Sequence, residues 1–220
     1  MKKYEIVSLG LNCMPRTILT RHKIKPSKAD GELSCPFDLV YHEFDTIIDS
    51  IENNFGNYFQ DFYFKQKKKR FFFSKNKGFW KKKDGTIFYH DSDCSEMDLD
   101  KLINRINNRI SNFNNILNSD KPILFVLNLV KNGDIKALYN AILKKRIDKP
   151  FKIAIFDFNN FTQFNEQINE NIYILRLPSP INDYPNNWHF KNFIKSDLGI
   201  YTELVISNFI KDILSEKPFI

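Results

Sequence analysis

Three apolar runs in the second half of the chain set the strongest limit on its fold. They are Pro122 to Leu127 (PILFVL), Phe151 to Phe156 (FKIAIF) and Ile172 to Leu177 (IYILRL). Continuous runs of this kind suit parallel strands covered on both faces. Gly133 to Arg146 between the first two reads as a helix, and Thr202 to Leu214 closes the chain as an amphipathic one. Helix, strand and loop signals alternate in the order of an α/β protein. The expected fold is α/β, a three-layer α/β/α arrangement around a mostly parallel sheet.

The first half adds elements of two kinds. Tyr4 to Leu9 reads as a strand, Cys13 to Lys23 as a helix, and Pro36 to Asn54 as a segment that becomes an amphipathic helix through Phe44, Ile47, Ile48 and Ile51. Asp98 to Leu117 is a long helix with Leu102, Ile106, Ile110 and Phe113 on one side. Between them, at about 58–90, short aromatic runs alternate with charged turns, and Lys83-Asp84-Gly85 is a strong hairpin signal. The length of 220 residues suits a single domain, 1–220, with this stretch as a small antiparallel β-hairpin insertion.

Composition narrows the function. No apolar run approaches the roughly 20 residues of a membrane span, and the N-terminus MKKYEIVSLGLNC lacks a signal peptide's cleavage region, so a cytoplasmic protein is expected. Three cysteines at irregular spacing argue for reduced thiols and show no zinc-ligand pattern. The absence of GxGxxG and GxxxxGK[ST] removes the usual nucleotide cofactors. No metal and no cofactor is expected. Much of the net charge of +7 lies in Lys65 to Arg70 and Lys81 to Lys83, interleaved with Phe71, Phe72, Phe73, Phe79 and Trp80. Such a pattern can bind single-stranded nucleic acid. A hairpin with one aromatic core face and one solvated lysine face is the favoured explanation, and a nucleic-acid partner is not expected.

The chemistry concentrates in Tyr4 to Cys13, YEIVSLGLNC. A strand stops at Gly10, where a positive φ would serve a sharp turn, and Asn12 is placed to cap a helix with Pro15 in its first turn. Cys13 then meets the unpaired N–H groups of the helix start, which favour thiolate. Four histidines could serve it. His22 lies too far along the same helix, and His42 suggests a solvated or capping role. His90 follows the strand Thr86 to Tyr89 and precedes Asp91, which suits a general base. His189, after Asp183 in a late loop, offers a second acid–histidine pair. Asp38 reads as a cap near a helix start, and Cys94 lies close enough to His90 to matter.

Three segments together resemble a known family of bacterial domains, described as "putative papain-like cysteine peptidase". They are Ser8 to Cys13 (SLGLNC), Pro36-Phe37-Asp38-Leu39, and Phe88-Tyr89-His90-Asp91. The family pattern carries Trp where this chain has Leu39. The resemblance implies Cys13 as nucleophile, His90 as base, and Asp91 or Asp38 as the orienting acid. Asn12 and Phe37 are expected on the substrate side. The expected function is a cysteine-dependent hydrolase or acyl transferase acting on an amide, ester or thioester, with a peptide, acyl or glycan-linked substrate. The strand order also looks like that of flavodoxin-like esterases, in which Cys13 would work with Asp183 and His189. A non-catalytic accessory module beside cell-surface polysaccharide enzymes is a further alternative.

Overall fold

The computed structural model describes residues 4–66, 78–91, 98–129, 133–181, 188–189 and 191–216. Its centre is a five-stranded sheet in the order β1-β5-β6-β8-β7, formed by Glu5–Ser8, Ile123–Leu129, Phe151–Asp157, Ile172–Arg176 and Phe164–Asn169. The first four of these are parallel, and β7 alone runs antiparallel, against β8. The three apolar runs therefore become β5, β6 and β8, and nearly every residue in them is buried. β7 had no counterpart in the expectation: its alternation is lost because almost all its residues are exposed.

Helices cover both faces, as such strands require. On one face α1 (Met14–Arg21) and α6 (Asp197–Leu214) pack Met14, Ile18, Leu19, Ile206 and Phe209 against Leu124, Val126, Ala154 and Phe156. On the other, α2 (Phe44–Glu52), α3 (Leu99–Asn118) and α4 (Ile135–Lys145) bring Ile47, Ile51, Leu102, Ile106 and Leu138 onto Phe125, Leu127, Ile153 and Ile155. Full burial of each such side chain stabilises the fold by about 1.5–3 kcal/mol. A short α5 (Lys191–Ile194) precedes α6. The last helix starts five residues earlier than its apolar pattern predicts, because the Ser196 hydroxyl accepts the Gly199 N–H and caps it there. The α2 segment begins later than expected, since residues 36–43 form turns and a bridge.

A second sheet of β2 (Phe62–Gln66), β3 (Gly78–Lys82) and β4 (Ile87–Phe88) is antiparallel throughout. The Lys83-Asp84-Gly85 turn closes β3 on β4, with Gly85 at φ +94° and the Asp84 carboxylate accepting the Thr86 N–H. The aromatic face is core: Trp80 and Phe88 are buried, and Phe62 and Phe64 pack beside them. The lysine face is mixed. Lys83 is exposed, but Lys82 is buried, its ammonium paired with Asp84 at 2.6 Å and 4.7 Å above the Tyr58 ring. Phe79 alternates to the other face, half-buried with its ring 5.0 Å from that of Tyr89, and Phe71, Phe72 and Phe73 lie outside the described residues.

Candidate active site

The nucleophile candidate sits where β1 ends. The last ladder bond of β1 runs from the Leu9 N–H to the Val126 carbonyl, and the chain then turns into α1. Gly10 makes that turn possible, but not through a positive φ, which among the glycines belongs to Gly31 and Gly85. A Cβ on Gly10 would stand 2.3 Å from the Asn12 carbonyl oxygen and 2.9 Å from Pro15 Cδ. The turn is too tight for any side chain. The Asn12 side chain accepts the Met14 N–H at 2.9 Å, and Cys13 occupies the cap position of α1, its carbonyl accepting the Thr17 N–H.

His90 arrives from the other sheet. β4 pairs with β3 on one side, and Ile87 bridges to Tyr41 on the other, which fixes the strand end from which His90 projects. Its Nε2 lies 3.3 Å from the Cys13 sulfur. Burial pushes the Cys13 thiol up to about 11, partly offset by its own backbone N–H. Partial desolvation lowers the pKa of His90, Arg109 and His189 add to the lowering, and Asp91 opposes it. Both shifts favour the uncharged partners, a thiol beside a neutral imidazole. The thiolate that a helix start alone would favour is outweighed by desolvation.

The two acids are both buried and both committed to arginines. Asp91 accepts from Arg109 through both terminal nitrogens, at 2.9 and 2.8 Å, and from Arg105 at 2.8 Å. Its described hydrogen bonds all run to α3, so it bears on His90 by charge and by holding the chain next to it. Asp38 caps no helix. Its Oδ2 accepts the Cys35 N–H at 2.7 Å and lies 3.5 Å from Arg16 of α1, closing a turn against the helix that follows Cys13. Burial raises its pKa, countered by Lys25 and Arg16. Phe37 is fully buried among His42, Phe55 and Phe113, which puts it in the core beneath the site rather than on a substrate-facing wall.

The other candidates disperse. His22 pairs with Glu203 of α6 at 3.3 Å. His42 is neither solvated nor a cap: it is fully buried, 2.6 Å from the Tyr58 hydroxyl, and desolvation lowers its pKa to about 3. Cys35 is a buried free thiol pushed up to about 12. His189 packs beside Trp188 and is near enough to His90 to act on its charge. Asp183 and Cys94 lie outside the described residues. Among the described residues, no group of three or more His, Cys, Asp or Glu could hold a metal ion, and no helix is long and apolar enough to cross a membrane. The residues that sequence reasoning missed are Arg105 and Arg109. Their signal was present: four apart, they share one side of α3.

Comparison with curated proteins and with solved structures found no match. A family model described as "Putative papain-like cysteine peptidase" matches residues 4–159, a span that holds Cys13, Asp38, His90 and Asp91. The chain belongs to that family.

Proposed function

We propose that this protein is a cysteine-dependent hydrolase of peptide or related acyl bonds, with Cys13 as nucleophile and His90 as general base. The observation that carries the reading is the 3.3 Å approach of His90 Nε2 to the Cys13 sulfur. Because both groups rest uncharged, the thiol proton moves to His90 Nε2 as sulfur bonds to the substrate carbonyl carbon. The carbonyl oxygen gains the negative charge, close to the N-terminal end of α1. Collapse breaks the carbon–nitrogen bond, and His90 returns the proton to the leaving amine. Water then cleaves the thioester, with His90 taking its proton and returning it to sulfur. Asp91 and Asp38 are positioning residues, one behind His90 and one behind α1. Asn12 shapes the turn beside the sulfur. A reducing compartment such as the cytoplasm suits a free-thiol nucleophile.

The test is acyl-enzyme trapping with a panel of peptide esters and thioesters, read by intact mass and peptide mapping. Wild-type protein should carry an acyl group on Cys13, Cys13→Ala none, and His90→Ala should acylate about 10²–10⁴-fold more slowly. Equal acylation of His90→Ala and wild type would remove His90 from the reaction. In a second reading His189, packed beside Trp188, serves the thiol. In that case His189→Ala, not His90→Ala, is the slow variant.

A further inference from the structure

A buried amide near the end of β5 is left without partners. Asn128 is the strand's second-last residue and is fully buried. Neither its Nδ2 nor its Oδ1 has a hydrogen-bond partner among the described residues. Of the described buried side chains with orphaned polar atoms, it alone has two. A buried donor and acceptor left unpaired cost stability, so such a group calls for an explanation. Leu124 and Val126, its predecessors on the same face, show the apolar residue that packing alone would put there.

Register sets this amide beside the turn that carries Cys13. Ser8 is level with Val126, and the Leu9 N–H bonds the Val126 carbonyl, so Gly10 comes level with Asn128 and has no side chain to meet it. Residues two apart in a strand share a face, which turns Asn128 to the α1 side with Leu124 and Val126. α1 runs back along the sheet from the end of β1, so its first residues lie over the carboxyl ends of the strands. Cys13 packs against the cluster that holds Val126 and Phe156, and Phe156 is the β6 residue level with Asn128. The carboxyl ends of parallel strands are where open α/β sheets bind ligands.

We infer that Asn128 grips the backbone of a peptide substrate at Cys13, its Nδ2 donating to the carbonyl oxygen under attack and its Oδ1 accepting the N–H of the same substrate residue. This rests on the cysteine-hydrolase reading above. The orphaned pair calls for a ligand with one acceptor and one donor side by side. An extended amino-acid residue offers both, since its own N–H and C=O lie on one side of the chain. A simple acyl ester or thioester offers only the oxygen. As sulfur bonds to the carbonyl carbon, an electron pair of the C=O moves to oxygen, and the bond from Nδ2 strengthens as that charge grows. The amide is covered in the resting protein, so the substrate must part that cover as it binds, an induced fit. The bond then forms in a site closed to water, where it counts for more than at the surface.

Acylation of Cys13 in the full chain, read by intact mass, tests this with two probes. One is an N-acetylphenylalanyl thioester, the other its O-acetyl-phenyllactyl counterpart, which has oxygen in place of the N–H. Wild type should react about 10-fold faster with the first. Asn128→Leu, of similar size and without polar atoms, should slow the first about 10²–10³-fold and bring both probes to one rate. Alkylation of Cys13 by iodoacetamide, in which sulfur displaces iodide and no oxyanion forms, should be unchanged in that variant. Its denaturation midpoint should be no lower than that of wild type, because no hydrogen bond is lost. Equal wild-type rates for the two probes, or a variant that keeps the wild-type rate or preference, would overturn the proposal. So would a variant that fails to fold, since the amide would then have partners in the fold, or one whose alkylation falls with its acylation. No acylation of wild-type Cys13 by either probe would overturn the hydrolase reading itself, and this assignment with it.

Discussion

His90 Nε2 lies 3.3 Å from the Cys13 sulfur, although 77 positions separate the two residues in the chain. One comes from the end of a parallel strand, the other from the end of an antiparallel one, and neither sheet alone makes the pair. Burial raises the thiol to about 11 and lowers the imidazole, so the pair rests uncharged at neutral pH. Alkylation of Cys13 by iodoacetamide should therefore rise steadily from pH 7 to pH 10. At pH 7 it should run on the order of 100-fold below a free cysteine of ordinary pKa. A rate already on a plateau below pH 8 would mean a preformed thiolate–imidazolium pair, and would reverse this account of the resting site.

The turn before Cys13 has no room for a methyl group. Gly10→Ala puts a Cβ against the Asn12 carbonyl and Pro15, and backbone cannot yield as a side chain tip does. The expected cost is about 1–3 kcal/mol of stability, together with displacement of Cys13 from His90. Chemical denaturation measures the first, and mass-spectrometric acylation of Cys13 the second. An alanine variant with unchanged stability and acylation would show that the turn relaxes freely.

Asp91 holds His90 in an electrical as well as a mechanical sense. Its charge raises the pKa of His90 against the lowering by burial, Arg109 and His189. Asp91→Asn should therefore lower the His90 pKa further, an effect visible in the pH titration of its ring protons by NMR. The same substitution leaves Arg109 buried without its carboxylate, a loss of about 3–5 kcal/mol. Arg109→Met disrupts the same ion pair but removes a positive neighbour of His90, so its stability should fall while the His90 pKa rises. The opposite signs distinguish charge from packing. Equal pKa movement in both variants would refute the electrostatic role.

The fold was largely legible because its core strands are covered on both faces, and such strands announce themselves as unbroken apolar runs. β5, β6 and β8 carry that mark, and the helices around them carry helical spacing. β7 was invisible, since an edge strand exposed on nearly all its residues has no apolar period to read. At the site, the SLGLNC stretch and the residue pair His90-Asp91 were readable from local chemistry. The role of Gly10 is ambiguous in sequence, because a close approach and a positive φ call for the same residue, and here it is the close approach. Asp38 resembles a helix cap in sequence, but the helix starts later and the carboxylate instead closes a turn against Arg16. Arg105 and Arg109 show only their four-residue spacing on one side of α3, and that spacing does not say that Asp91, from across the fold, is what they meet.

His42 makes the last prediction, because its burial runs against its polarity. The ring is fully buried beside the Tyr58 hydroxyl, and its pKa falls to about 3 from an ordinary 6.5. The folded state thus refuses a proton that the unfolded state accepts below pH 6.5. Above 6.5 neither state is protonated there, and the group adds no pH dependence. Between 6.5 and about 3 the unfolded state binds more protons, so stability declines as pH falls, by up to about 1.4 kcal/mol per unit. Replacing both partners, His42→Phe with Tyr58→Phe, removes the titrating group without stranding a buried hydroxyl. Denaturant unfolding at pH 7.5, 5.5 and 4.5 should then show a shallower decline for the double variant than for wild type. The single variant His42→Phe should share the shallower slope but start from lower stability, with the Tyr58 hydroxyl left without its ring nitrogen. Parallel curves for wild type and double variant would show that His42 takes up its proton without leaving the folded state.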